Sequence, residues 1–369
     1  MYDYLVVGAG LAGSTLAERL AGQLGSTVLV VDKRPHVAGN AYDPLDASGL
    51  RFHQYGPHIF HTNSRHVVDY LSRFTAWRAY EHRVLARVDG RLVPIPINRT
   101  TINHLYDLEL DEAGIAAFLH ERARPLDRID NSEQMIVSRV GRELYETFFR
   151  GYTRKQWGLD PSELDATVCG RIPTRTTDDD RYFTDAFQAM PADGFAAMVT
   201  AMLSHPAIDV VLGTGFEEAY DRSRARHVIY TGPIDEYFSF RYGKLPYRSL
   251  RFEFETLDCE RSQPVGCVNE PSESVPYTRT TEYKHLTGQV HAKTIVSREY
   301  PSADGDPYYP IPRPDTRELY RKYAALARTE SGVTFAGRLA EYKYFNMDQV
   351  VASALATFRN IAETVAVAS

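Results

Sequence analysis

YDYLVVGAGLAGSTLAERLAGQLGSTVLVVDKR, residues 2–34, reads as strand, tight turn, helix and strand. Tyr4–Val7 is a short apolar run, Ser14–Leu24 carries apolar residues at helical spacing, and Thr27–Val31 is β-branched and buried in character. Gly8, Gly10 and Gly13 spell G-x-G-x-x-G between strand and helix, and Asp32 follows Gly13 by 19 residues at the end of the second strand. In a dinucleotide site the first glycine permits the turn and the second lets the backbone approach a pyrophosphate. The third lets helix and strand pack closely, and the acid accepts from a ribose hydroxyl. The pyrophosphate then rests on the helix N-terminus, where free N–H groups and the helix dipole meet its charge. Glycines serving only a turn would not need strand, helix and acid in register.

The residues beyond this βαβ unit point to FAD rather than NAD. Lys33-Arg34 and Gly39-Asn40 extend the site after Asp32, and a second strand and turn at Thr334–Arg338 precede a helix that begins near Asp348. That helix N-terminus would stabilise negative charge on the N1–C2=O side of a reduced isoalloxazine, although ordinary core packing also accounts for it. The isolated His or Lys acid/base of a nicotinamide dehydrogenase is not evident.

At 369 residues and 43% hydrophobic, the chain exceeds what one core holds, since single cores stop growing near about 250–300 residues. A formal charge of −6 supplies no global basic field, so nucleic acid and anionic membrane surfaces are not expected partners. Cys169, Cys259 and Cys267 lack the paired short spacing of metal sites, which fits a reducing compartment and no metal. Neither a signal peptide nor an apolar run of membrane length is read, so a cytoplasmic protein is expected.

The expected fold class is α/β: a Rossmann-type FAD-binding domain closed by both termini, with an inserted helical lobe and an inserted antiparallel β-sheet domain. FAD-domain segments are expected at 1–75, 191–240 and 317–369. Asp89-Gly90 between two alternating runs predicts an antiparallel hairpin within 76–97, outside the Rossmann sheet. Residues 98–190 are charged and helix-periodic and form the helical substrate lobe, and 241–316 the antiparallel sheet domain. Strands are expected at Ile208–Leu212 and His227–Tyr230.

Eleven collinear segments then carry a resemblance: HVAGN (36–40), YGPHIFHT (55–62), PIPIN (94–98), GYTRKQWG (151–158), RIPTR (171–175), RYF (181–183), YTGPIDEYF (230–238), LPYRSLRFE (245–253), PYTR (276–279), DPYYPIP (306–312) and GRLAEYKYFNMDQ (337–349). Together they resemble the prokaryotic UDP-galactopyranose mutases over nearly the whole chain. The resemblance implies that Phe149 and Tyr152 form a uridine pocket, that Trp157 rides a mobile loop closing over substrate, and that Arg171 and Arg279 hold the diphosphate. Tyr182, Tyr309 and Tyr344 complete that clamp with hydroxyls, and Phe183, His82 and Asn346 join the substrate site. Some members carry Asp where Asn346 stands, so charge there is not essential. Arg175 is expected to be scaffold. His58 and His61 belong to a loop on the flavin face, and Lys33, Gly39, Asn40, Arg338 and Asp348 join the glycines and Asp32 on FAD. Catalytic roles fall to His58, Arg171, Arg279, Tyr309 and Tyr344.

The physical chemistry agrees with that assignment. Guanidinium groups bind phosphate bidentately, and Phe149, Tyr152 and Trp157, at i, i+3 and i+8, can face one way where a helix runs into a turn. Taken singly, each aromatic would be assigned to core packing. The resemblance further implies that N5 of reduced FAD is the nucleophile at the sugar's anomeric carbon, without net redox change. UDP leaves and returns once the sugar has re-closed, so UDP-galactopyranose, UDP-galactofuranose and UDP are the expected ligands. A homo-oligomer, at least a dimer, supplying galactofuranose for cell-surface glycans is expected. Two other readings stay open. An amine or polyol oxidase would need an apolar substrate cage, and a catalytically idle sugar-nucleotide binder would show no turnover after reduction. Activity on UDP-N-acetylgalactosamine would need only one altered pocket side chain.

Overall fold

The computed structural model describes residues 1–311 and 313–368, so Pro312, which ends the DPYYPIP segment, and Ser369 lie outside the described residues. The opening motif folds as read. Tyr4–Val7 pairs in parallel with Val28–Asp32 on one side and His227–Tyr230 on the other. Val333–Phe335 and Ile208–Leu212 complete a five-stranded parallel sheet with Tyr4–Val7 at its centre. Such a strand is covered on both faces, and Leu5, Val6, Val28 and Val30 are fully buried.

The first helix spans Leu11–Leu24, three residues earlier than its polar start at Ser14 suggests. Leu11, Ala12 and Gly13 are buried, and the Ser14 hydroxyl donates inward to the Ala9 carbonyl. Gly25, at φ 65°, ends the helix by donating its N–H to the Ala21 carbonyl. Across this helix lies the C-terminal one, Met347–Ala368, whose Val351, Ala354, Leu355 and Phe358 share a core with Leu16, Ala17 and Leu20. Both ends of the chain thus close one hydrophobic core. Met347–Val367 is long and apolar enough to cross a membrane by length and composition. Reading the sequence for unbroken apolar runs overlooked it, because Asp348, Gln349, Arg359 and Asn360 interrupt the run.

The hairpin forms at Asp89 (φ 47°) and Gly90 (φ 78°), both left-handed as a two-residue turn between twisted strands requires. Its placement corrects the expectation of a separate antiparallel unit. Val84–Val88 and Arg91–Ile95 end a seven-stranded sheet that also holds Cys267–Asn269, Arg279–Glu282, Thr294–Ser302, Tyr247–Leu257 and Tyr309–Pro310. Cys267–Asn269 joins Val84–Val88 in parallel, so the sheet is mixed. Alternation reports which face of a strand is buried but not which distant strand pairs with it. A further sheet of Phe60–Thr62, Phe187–Pro191 and Trp77–Ala79 was not anticipated, because two of its strands have only three residues.

In the helical lobe, Asn98, Asp111 and Asn131 each accept a backbone N–H and cap the helices Arg99–Tyr106, Glu112–Arg122 and Ser132–Tyr145. A wide turn, Glu146–Arg150, then leads into the helix Gly151–Trp157. Ile102, Ile115, Leu144 and Tyr145 pack with Val84, Val93 and Cys267, which seats the lobe on the mixed sheet.

Candidate active site

An open cleft of about 280 Å³ runs along the carboxyl ends of the parallel strands, where open α/β sheets bind ligands. Gly8, Gly10, Asp32, Lys33, Gly39, Asn40, His58 and Arg338 all line it. Gly8 sits at φ 109°, and a Cβ there would meet Thr231 Oγ1 at 2.1 Å. A Cβ on Gly13 would lie 2.0 Å from the Gly8 carbonyl oxygen. These two positions admit only glycine because the protein's own turn and strand fill the space. A Cβ on Gly10, which lines the cleft, would meet nothing closer than Gly39 Cα at 3.8 Å, so the turn presents bare backbone to a pyrophosphate. Asp32 is fixed by accepting from the N–H groups of Ala9 (2.8 Å) and Arg34 (2.9 Å). The donor set therefore fits FAD.

Arg34 extends the site as read, and Asp306, which was missing from the expected site, joins it. The Arg34 guanidinium donates to Asn40 Oδ1 at 2.8 Å, pairs with Asp306 Oδ2 at 2.9 Å and lies 4.2 Å above the Tyr55 ring. Its adjacency to Lys33 was a usable signal, whereas Asp306 is 272 residues away and gave none. Asp348 turns aside: its Oδ2 accepts from Thr62 Oγ1 at 2.8 Å, while Met347 and Val350 line the cleft. Burial lowers His58 to about 4 against an opposing bond to Gly56, with Arg338 adding to the shift, so the ring is neutral at pH 7. Its Nδ1 lies 2.8 Å from the Gly56 carbonyl, so Nδ1 must donate and Nε2 is left as an acceptor. His61 faces elsewhere, with Nδ1 2.8 Å from Asp185 and its ring stacked on Phe183 at 3.6 Å.

Beyond His58 and Arg338 the structure gathers side chains from six distant segments. Tyr309 and Tyr344 stack at 5.6 Å, and Trp157 lies 6.2 Å from Tyr309. The Arg171 guanidinium lies 4.6 Å over Tyr344, and that of Arg338 lies 5.8 and 5.9 Å from Tyr309 and Tyr344. Arg279 pairs with buried Glu299 at 3.3 Å, yet its Nε is buried without a partner among the described residues. Burial would raise the Tyr344 phenol, but Arg171, Arg338 and Arg279 outweigh it and bring the group below its ordinary value. Tyr309 moves up, through burial and then Glu299. Three guanidinium groups against one carboxylate leave a net positive pocket, which suits a dianionic ligand.

Tyr152 lies in the fields of Arg279, Tyr182 and Tyr309. His82 has its Nδ1 3.0 Å from the Tyr80 hydroxyl and its ring near Tyr182 and Phe183. Burial first, then Arg279 and His61, lower it to about 3, so it is neutral. Phe149 is 6% exposed and belongs mainly to the lobe core. Trp157 departs from the mobile-loop expectation: it is the last residue of a helix that Gly158 ends at φ 68°, and it is buried. Asn346 is exposed, and its carbonyl accepts the first bond of the C-terminal helix from Val350. Arg175 Nη1 donates to the carbonyls of Asp179 and Arg181, a scaffold role.

Comparison with known proteins agrees with this geometry. A family model described as UDP-galactopyranose mutase matches residues 147–344, and one described as an NAD(P)-binding Rossmann-like domain matches residues 6–74. The chain is 39% identical over 372 residues to a probable UDP-galactopyranose mutase of Klebsiella pneumoniae, covering 99% of this chain and 96% of that one. It is 34% identical over 368 residues to dTDP-fucopyranose mutase of Escherichia coli, covering 96% and 97%. A crystal structure of reduced UDP-galactopyranose mutase superposes with a TM-score of 0.78 at 16% identity, over 99% of this chain and 96% of that one, and shows the same fold. A redesigned putrescine oxidase shares that fold more distantly, with a TM-score of 0.58 at 14% identity over 98% and 99%. With a dinucleotide cleft, an anion pocket beside it and relatives matching along the whole chain, this isomerase belongs to the UDP-galactopyranose mutase family.

Proposed function

We propose that the chain interconverts UDP-galactopyranose and UDP-galactofuranose on bound FAD and so supplies galactofuranose for cell-surface glycans. One observation carries the reading: Arg338 lines the dinucleotide cleft and also faces the Tyr309–Tyr344 pair beneath Arg171. A sugar diphosphate held by Arg171 and Arg279 would thus lie next to the cofactor. When bound in its reduced form, FAD supplies the nucleophilic N5 for exchange at the anomeric carbon without net redox change. Gly8, Gly10 and Asp32 hold it, and neutral His58 offers an acceptor at Nε2.

The remaining chemistry falls to positioning and charge. Arg171 and Arg279 accept the charge that grows on the β-phosphate as the glycosidic bond breaks, and they retain UDP for recapture. Tyr344, shifted toward acidity by those guanidiniums, is the stronger phenolic donor of the stacked pair. Trp157 and Tyr309 keep water from the sugar. No side-chain general base is needed. The 34% identity to dTDP-fucopyranose mutase favours one other reading, in which the base and sugar differ and the clamp is kept. Dithionite-reduced protein incubated with UDP-galactofuranose should yield UDP-galactopyranose by chromatography. Turnover of dTDP-fucopyranose but not the UDP sugar would establish the second reading, and turnover of neither would refute both.

A further inference from the structure

Among the described residues, the Lys155 side chain meets no carboxylate. Its Nζ donates to the backbone carbonyls of Glu270 (2.5 Å), Ser272 (2.8 Å), Val275 (3.0 Å) and Tyr277 (2.9 Å). The acids nearby are engaged elsewhere, Glu270 with Arg87 at 2.9 Å and Glu273 with Arg154 at 3.3 Å. An ammonium has three N–H donors, so four carbonyls share them and the loop 270–277 curls around one charge. Burial lowers this lysine to about 8, which leaves it charged at neutral pH.

Both ends of this contact lead to the substrate side. The helix Gly151–Trp157, to which Lys155 belongs, carries Tyr152 and Trp157. The loop 270–277 leads directly into the strand Arg279–Glu282, whose first residue is the buried arginine paired with Glu299. Arg248 holds the helix end from another side, through Nε to the Gln156 carbonyl at 3.0 Å. A Cβ on Gly151 would meet the Pro271 carbonyl oxygen at 2.4 Å, so helix and loop are in direct backbone contact.

We propose that Lys155 is a positioning residue, whose ammonium, wrapped by loop 270–277, locks the helix bearing Tyr152 and Trp157 to the strand bearing Arg279. The aromatic and phosphate-binding halves of the nucleotide site then stay in register. The inference rests on the proposed UDP-sugar reading, for it is UDP that would span the two halves. A side chain far from the reacting atoms would then control substrate affinity while leaving the dinucleotide cleft alone.

The test compares wild type, Lys155→Met, Lys155→Gln and the control Arg154→Ala, using UDP binding by calorimetry, KM and kcat after reduction, and flavin absorbance per chain. Lys155→Met should weaken UDP binding and raise KM by about tenfold or more, the scale of a lost charge-assisted contact. Its kcat at saturation should stay within about threefold and its FAD content should be unchanged, because loss of register acts on binding. Lys155→Gln, which keeps two N–H donors, should fall between Met and wild type, and Arg154→Ala should change UDP affinity less than about threefold. Wild-type UDP affinity in Lys155→Met with normal FAD would overturn the proposal. So would loss of fold or FAD in both Lys155 variants, because the cage would then be general scaffold. Failure of the wild type itself to bind UDP would instead sink the functional reading.

Discussion

The dinucleotide cleft and the arginine–tyrosine pocket meet at Arg338 but are built from different materials. The cleft's glycine turn, helix N-terminus and acid are supplied by 31 consecutive residues up to Asp32, to which Gly39, Asn40, His58 and Arg338 are added from later in the chain. The pocket is mostly side chains, with Trp157, Arg171, Arg279, Tyr309, Arg338 and Tyr344 drawn from five segments over nearly 190 positions. A backbone site is limited by sterics, so a single methyl group can abolish it. A side-chain site is limited by charge and geometry, and it should fail by degrees.

The largest expected effect breaks the cleft. In Gly13→Ala the new Cβ would lie 2.0 Å from the Gly8 carbonyl oxygen, an atom of the motif's own turn. The backbone would have to shift, at a cost of about 1–3 kcal/mol in the fold, and the cradle would lose its shape. Purified Gly13→Ala should hold less than about one-tenth of the wild-type flavin, read from absorbance near 450 nm, with a lowered Tm. Full flavin occupancy would show that the cleft yields as the pocket does, and the contrast would collapse.

Arginine removal should break the pocket and spare the cleft. Arg171→Ala loses an accessible guanidinium and should weaken UDP binding by about tenfold, the low end of a charge-assisted hydrogen bond. Arg279→Ala should cost more, up to about 100-fold, because Glu299, 2% exposed, would lose its counter-ion and put a negative charge beside the phosphates. Arg→Lys at either position should rescue only partly, since the ammonium keeps charge and loses the planar fork. Both alanine variants should hold wild-type flavin. Flavin loss in Arg279→Ala with normal UDP binding would place that arginine on the other ligand.

This contrast also explains what was legible in the sequence. Gly8, Gly10, Gly13 and Asp32 could be read locally because the spacing is the structure. The strands Ile208–Leu212 and His227–Tyr230 were legible as well, the second as a short apolar run that is buried and the first, an exposed edge strand, through its β-branched residues. Arg171, Arg279 and Tyr344 carry no local signal and were found only through resemblance of their surrounding segments. What escaped depends on long-range pairing: the parallel joint between Cys267–Asn269 and Val84–Val88, the Arg34–Asp306 bridge, and Lys155 among backbone carbonyls. Trp157 was expected on a mobile loop through the resemblance alone, whereas the local reading of a helix running into a turn matches its place at the end of Gly151–Trp157 before Gly158.

A smaller effect should appear in the pH dependence of the pocket. Its guanidiniums hold the Tyr344 phenol below its ordinary range even though burial pushes the other way. The neutral phenol donates to phosphate and the phenolate repels it, so binding is favoured on the acid side of this titration. UDP affinity should therefore fall with rising pH at a midpoint below the roughly 10 of a free tyrosine. Tyr344→Phe should remove that limb and cost about three- to tenfold at pH 7. An alkaline limb unchanged in Tyr344→Phe would assign it to another group.

The smallest effect tests whether position 346 belongs to the pocket's charge at all. Asn346 is exposed, and its carbonyl accepts the first bond of the Met347–Ala368 helix, so it stands at that helix's N-cap. Asp caps as well as Asn does, and a carboxylate there gains about 0.3–1 kcal/mol from the helix dipole. Against this, an added negative charge would face a diphosphate, although solvent screens an exposed group strongly. The two terms oppose each other and both are small. Asn346→Asp should keep its flavin, hold or slightly raise its Tm, and change UDP affinity by less than about threefold at 0.15 M salt, with any loss growing as salt is lowered. A loss comparable to that of Arg171→Ala would mean that the Asn346 side chain touches the nucleotide directly, and that the pocket's charge balance extends to the start of the C-terminal helix.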